Sequence, residues 1–243
     1  MGSCMVEKFK QYIDLRDDEK ALLQTMQETK EQYRAGEQIA KMNDPIEDIF
    51  VVSEGWVIIS SNLDKNLRSV YDVKFSGDII GISELSFSMH MFDIYAITDV
   101  EVCPFPRKNL FKIFKESPRL CKTFYNILSR EQALLYERIV SIGRRTAIEK
   151  VAHFVIETYY RQNFIGMNND NEINWRMRQE NISDLLGLSS IHVSKAMSEL
   201  RKNEYIDYNR SSLKILDFDR LVSLSNFSPK FLEPPYIKYH EEA

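Results

Sequence analysis

The 243-residue chain has little of what many specialised architectures require. Its three cysteines, Cys4, Cys103 and Cys121, are odd in number and far apart, with no C-x-x-C and no histidine pair nearby. That spacing argues against a disulfide framework and against a structural zinc. The four histidines, His90, His153, His192 and His240, are equally scattered, so surface or core roles are expected and no metal site. Only 8 glycines and 7 prolines are present, while 44% of residues are hydrophobic and 28% charged, which excludes collagen-like, low-complexity and disordered chains. The longest uncharged stretch, Leu185 to Ser194, falls far short of the ~18 apolar residues of a membrane span. No basic-then-apolar leader opens the sequence, and a cytoplasmic location without a membrane partner is expected.

A large excess of charge of one sign is also lacking, because the net value is only −4. Its distribution says more than its total. Residues 1–143 carry 18 Lys/Arg against 22 Asp/Glu, whereas residues 144–243 carry 14 of each. Within 174–214 seven basic residues (Arg176, Arg178, Lys195, Arg201, Lys202, Arg210, Lys214) outnumber five acidic ones. The acidity therefore lies in the first part, and a weak positive bias lies in the last.

What is present changes character three times along the chain. An amphipathic helix is expected over Leu15 to Thr29. Short β-branched or aromatic runs follow at Asp48 to Val52, Trp56 to Ser60, Ser69 to Lys74, Asp93 to Thr98 and Glu101 to Phe105. Glu54-Gly55, Asn62 to Asn66 and Ser76-Gly77-Asp78 punctuate them, a pattern that predicts a barrel, roll or sandwich closed by a small helix at Lys108 to Lys115. Pro118 then opens about 24 residues of helix, roughly 36 Å, up to Ser141. Along it Cys121, Tyr125, Leu128, Gln132, Leu135, Ile139 and Ile142 alternate in steps of four and three, the seam by which two helices pair. Packing on the chain's own domain is the other reading of the same face. Gly143 is expected to end this helix as a hinge, with a second helix over Arg145 to Phe164 and a polar loop over Gly166 to Asn174.

The segment that carries function begins at Gln179. A helix-turn-helix places apolar residues at its fourth, eighth, tenth and fifteenth positions, a small residue at the fifth and glycine at the ninth. Ile182, Leu186, Leu188, Val193, Ser183 and Gly187 meet all six requirements. Ser189 suits the N-cap of the second helix. The face left over presents Ser190, Ile191, His192, Ser194 and Lys195, with Glu199, Arg201 and Lys202 beyond, as a helix entering a major groove would. Tyr205 to Leu216 then reads as a hairpin with a basic, polar tip, a wing.

This order of parts resembles the Crp/Fnr family of bacterial transcription regulators. The resemblance covers about residues 30 to 235. It rests on Ala35-Gly36-Glu37, Glu54-Gly55-Trp56-Val57 and Phe75 to Gly81 in the roll, and on Gly143-Arg144-Arg145-Thr146-Ala147 before Glu149 to Phe154. Leu188 to Lys195 and the ending Phe227 to Leu232 look like an alphaproteobacterial-type branch. The resemblance implies an α+β fold in three parts: an N-terminal cyclic-nucleotide-binding-like β-roll as sensor domain (1–116), a long dimerisation helix (117–143) and a C-terminal winged helix-turn-helix (144–243). It implies a homodimer on double-stranded DNA, with RNA polymerase as a further partner. DNA contacts fall to Arg178, Gln179, Ser189 and Lys202 on phosphates and to Ser190, His192, Ser194 and Lys195 on base edges, and the dimer interface to the seam from Cys121 to Ile142. An effector pocket would be framed by Gly77, Asp78, Gly81, Ile82, Ser83 and Glu84, with Leu135 and Tyr136 on the long helix.

The departures restrict the signal. Ile82-Ser83 separates Gly81 from Glu84-Leu85, and no Arg or Lys lies between Ile79 and Asp99 to meet a cyclic phosphate, whose burial without a cation costs several kcal/mol. Cyclic AMP is therefore not the expected effector, and no cofactor is expected. Cys4 alone holds no iron-sulfur cluster. Apolar residues around the loop, from Ile80 and Ile82 to Phe87, Met89 and Met91, fit an apolar ligand or plain core packing equally. Ser190 and Ile191 replace the family's Arg-Glu, and Lys195 stands for an Arg, which loosens guanine discrimination. No Gly-rich phosphate loop, G-x-S-x-G or paired catalytic carboxylates occur, so no enzyme is expected. The competing function is a sensor or adaptor that acts through protein partners rather than DNA.

Overall fold

The computed structural model describes residues 3–26, 29–64, 67–167 and 170–232. His240 and the tip of the Asn62 to Asn66 turn lie outside them. The chain divides into two compact units, one running to Ser129 and the other beginning at Arg130.

The first unit opens with α1 (Cys4–Lys10), capped by Ser3, and α2 (Asp17–Met26). Eight strands follow: β1 (Glu31–Tyr33), β2 (Gln38–Ala40), β3 (Asp48–Glu54), β4 (Trp56–Asp64), β5 (Leu67–Phe75), β6 (Ile79–Ile80), β7 (Asp93–Ala96) and β8 (Val100–Pro106). They form two antiparallel four-stranded sheets, ordered β1-β8-β3-β6 and β2-β7-β4-β5. Alternating residues of both sheets, among them Phe50, Val52 and Val102 from one and Val57, Ile94 and Ala96 from the other, share one core. The Glu54-Gly55 turn needs its glycine, because a Cβ there would lie 2.3 Å from the Asp99 carbonyl oxygen. Five expected strands are present, and β1, β2 and β6, each only two or three residues long, are additions. So is α1, whose Met5, Val6 and Phe9 are buried.

Two expectations are corrected between the start of the chain and the end of α4. Cys4 of α1 and Cys103 of β8 are joined in a disulfide, their Cα atoms 6.3 Å apart and 99 residues apart in the chain. Wide sequence spacing hid a pairing that the packing of α1 creates. The unit ends with α3 (Arg107–Glu116) and the start of α4 (Pro118–Arg144). Gly143 does not end α4 but lies inside it. The break falls at Arg145-Thr146, where Thr146 and Glu149 form a reciprocal capping box that starts the next helix.

The second unit holds the rest of α4, α5 (Ala147–Phe164), β9 (Glu172–Asn174), α6 (Gln179–Leu186), α7 (Ser190–Lys202), β10 (Ile206–Tyr208), β11 (Ser212–Ile215) and α8 (Phe218–Ser225). The strands make one antiparallel sheet in the order β10-β11-β9, so part of the expected 166–174 loop is a strand completing the wing. α5 is the core helix: Val151, Phe154, Val155 and Thr158 are buried, and Phe154 meets Trp175 at 5.5 Å. Among the described residues no helix is long and apolar enough to cross a membrane, and no cluster of His, Cys, Asp and Glu could hold a metal ion.

His153 of α5 is buried 3.4 Å from the Glu137 carboxylate of α4 and edge-on to Phe227. Burial holds its pKa below the ordinary 6.5, helped by Arg145 and opposed by Glu157 and Glu137. Between pH 6.5 and the lowered folded value the unfolded chain binds the proton and the folded chain does not. The stability that neutral His153 contributes is thus complete above about pH 6.5 and is lost as pH falls. Chemical denaturation of the second unit is expected to show this decline below pH 6.5, and His153→Gln to flatten it.

Candidate nucleic-acid interface

The bend between α6 and α7 is built as the spacing requires. Gly187 sits in the left-handed region (φ 60°, ψ 42°) and its N–H donates to the Ser183 carbonyl. A Cβ at Gly187 would have room, 3.7 Å from an Ile142 methyl, so backbone conformation rather than space selects glycine here. Ser183 is buried, and its hydroxyl donates to the Leu188 carbonyl at 2.6 Å, while the Leu188 N–H returns to the Ser183 carbonyl at 3.0 Å. The small residue required for helix crossing thus also locks the turn.

α7 buries Val193, Ala196, Met197 and Leu200 and turns its other side to solvent. Ser190, Ile191, His192, Lys195 and Lys202 are exposed and Ser194 is half-buried. The Ser189 hydroxyl caps α7 by accepting the His192 N–H at 3.3 Å, and it also lies 3.0 Å from the His192 Nδ1. His192 is thereby oriented by the cap. Arg178 and Gln179 are exposed at the start of α6. All eight expected DNA-contact residues therefore lie on the surface of one unit, six of them between Ser189 and Lys202.

Arg201 is spent otherwise. Its guanidinium donates to the Asp207 carboxylate at 2.9 and 2.6 Å and to the Tyr208 carbonyl, and stacks 4.4 Å from the Tyr208 ring. It clamps the last turn of α7 to the wing. At the wing tip the Asn209 side chain accepts from the Ser211 N–H, the Ser211 hydroxyl and the Ser212 N–H, leaving Arg210 exposed at the apex. Arg210 was not among the expected contact residues. The basic tip tetrapeptide of the hairpin was the signal that pointed to it.

On α4 the expected seam is open to solvent. Tyr125 is 70% exposed, Ile139 66%, Leu135 and Ile142 less so, and Gln132 is exposed. Cys121 and Leu128 are half-buried. Tyr136 and Val140 widen the apolar stripe, and Leu120, Phe124 and Ile127 occupy the buried side.

The roll loop has a different arrangement from the one expected. Gly77 and Asp78 make the turn between β5 and β6, where the Asp78 carboxylate accepts the Phe75 N–H at 3.1 Å. Gly81, with φ of 84°, precedes a single 3-10 turn, Ile82–Glu84, in which Ile82 is buried and Ser83 exposed. Glu84 is buried too: one carboxylate oxygen lies 3.0 Å from His90 Nδ1 and the other accepts the Met91 N–H at 2.6 Å. The acid expected to face a ligand is engaged within the protein. A cation does approach this loop, from outside the segment, as Arg107 donates to the Phe87 carbonyl. Ile80 and Ile82 are core, whereas Phe87, Met89 and Met91 are exposed. Leu135 and Tyr136 belong to the other unit, so this cluster of candidate residues is not gathered within one.

Comparison with known families places both units. Residues 30–117 match the cyclic nucleotide-binding domain and residues 149–224 the Crp-like helix-turn-helix domain, in that order. The chain belongs to the Crp/Fnr family of transcriptional regulators. Relatives of this Crp/Fnr regulator include the nitrogen fixation regulation protein FixK of Bradyrhizobium diazoefficiens, 26% identical over 79% of this chain and 80% of that protein. The transcriptional activator Anr of Pseudomonas protegens is 23% identical over 80% of each. The solved structure of FixK2 from Bradyrhizobium japonicum superimposes with a TM-score of 0.74 at 24% identity, covering 82% of this chain and 98% of that one. Regulators of this family bind DNA and act as dimers. The relatives are transcription regulators, proteins that are generally not enzymes.

Proposed function

We propose that this regulator works in the cytoplasm as a homodimer on a palindromic operator, its α4 seams paired and its two α7 helices about 34 Å apart in successive major grooves. The observation that carries this reading is the exposed polar face at the start of α7, with Ser190, His192 and Lys195 set on a helix whose entry is locked by Gly187, Ser183 and Ser189. Arg178, Gln179, Ser189 and Lys202 hold the phosphates, and Ser190, His192, Ser194 and Lys195 read base edges. RNA polymerase is the protein partner. The signal enters at the roll and is not cyclic AMP, because Glu84 already serves His90 and the Met91 amide; no resident cofactor is needed.

In vitro selection from random duplexes, followed by salt-titrated binding, tests the reading. A two-fold symmetric site with half-sites one helical turn apart is expected, with affinity falling steeply as salt rises. Lys195→Ala is expected to weaken that site about 10- to 100-fold and to relax the sequence at one base pair per half-site. Unchanged regulation by Lys195→Ala in cells would favour the adaptor reading instead.

A further inference from the structure

We infer that Ile191 is a base-reading residue of α7 that selects a thymine by its C5-methyl group. This rests on the operator reading above and names what one part of that surface recognises.

Ile191 is 68% exposed and stands at the second position of α7. At 100° per residue it shares the outward side with Lys195, Ser198 and Lys202, diametrically opposed to the buried Val193, Ala196, Met197 and Leu200. An isolated apolar residue on a surface is ordinary. This one sits in the middle of a surface whose neighbours, Ser190, His192, Ser194 and Lys195, all carry side chains able to hydrogen-bond. In a major groove an isoleucine finds one favourable partner, the methyl group of thymine. A cytosine or adenine amino group facing it would lose its water and gain no acceptor, so mismatches are penalised as well as the match rewarded. On the outward face the nearest carboxylate along α7 is Glu199, two turns further on, too far to supply that acceptor.

The presentation is also rigid. A β-branched side chain keeps essentially one χ1 rotamer in a helix. The backbone beneath it is fixed by the Ser189 cap to the His192 N–H. Ile191 and Lys195 are one turn apart, ~6 Å along the axis. At 3.4 Å per base step, the thymine lies within about two base pairs of the base that meets Lys195.

The test uses the full-length protein and the operator found by selection, with deoxyuridine replacing thymine one position at a time and symmetrically in both half-sites. One position is expected to weaken wild-type binding about four-fold per half-site, the worth of one methyl group. Ile191→Ala is expected to bind thymine and deoxyuridine sites equally, and Ile191→Val to retain the preference. Operator binding that ignores deoxyuridine everywhere, or that responds identically in wild type and Ile191→Ala, overturns the inference while the operator reading stands. Absence of any sequence-specific duplex binding overturns both.

Discussion

Replacing Glu157 with alanine is expected to destabilise the second unit by ~3–5 kcal/mol, the usual cost of removing one partner from a buried ion pair. Glu157 lies on α5 and is 1% exposed. One of its oxygens accepts from Arg138 of α4 at 2.7 Å and from Arg161 of α5 at 3.2 Å, and both guanidiniums are buried. Two cations have left water around a shared anion, so deleting the carboxylate leaves their desolvation and removes the attraction that offsets it. Glu157→Gln keeps the shape and an acceptor oxygen but not the charge, and should fall between wild type and alanine. Trp175 reports on this unit because it packs against Phe154 on the same helix. Denaturant unfolding followed by Trp175 fluorescence in a Trp56→Phe background measures the loss. A change below about 1 kcal/mol would mean that the pair is hydrated in solution and contributes as a surface pair does. The functional consequence follows from α5 being the core helix against which α7 packs: loosening it blurs the placement of Ser190, His192 and Lys195.

That placement was legible in the sequence because a helix-turn-helix is a local device. Gly187, Ser183 and the apolar positions from Ile182 to Val193 all act within one short segment, and their spacing alone states where the bend falls. The exposed seam on α4 was readable for the same reason, as a period along one helix. Side-chain pairings between successive elements, and contacts between distant segments, were not. Nothing near Arg201 announces that it reaches over to Asp207 and Tyr208, and nothing near Glu84 says that it turns inward to His90. The Cys4–Cys103 link joins residues 99 positions apart and depends on a helix too short to show a period. Strands of two or three residues such as β6 and β9 fail for another reason: alternation needs more residues than they have, and their partners rather than their own sequence define them. Gly143 misled because glycine tolerates a helix interior at a cost of about 1 kcal/mol, and the real stop signal was the cap that follows at Thr146.

Placing a charge at Ile139 is expected to separate the dimer and to lower operator affinity by about 10²–10⁴, the gain that linking two reading heads confers. Ile139 is the most exposed aliphatic residue of the α4 stripe, with Leu135, Tyr136, Val140 and Ile142 beside it. A seam of period 3.5 inserts each such side chain into the partner helix, where a buried isoleucine is worth about 1.5–3 kcal/mol and occurs once per subunit. Ile139→Glu would instead bring two carboxylates together in an apolar seam. Because the residue is exposed in the single chain, the fold should survive, with an unchanged far-UV circular dichroism spectrum. Sedimentation equilibrium is expected to show a monomer for Ile139→Glu and a dimer for Ile139→Leu. The salt dependence of DNA binding discriminates further: losing one head halves the phosphates neutralised and therefore the slope, whereas Lys195→Ala leaves a dimer whose slope changes little, since that residue is assigned to a base. A dimer that persists with Ile139→Glu, binding its operator undiminished, would move the subunit interface off this stripe and leave its exposed apolar residues without that partner.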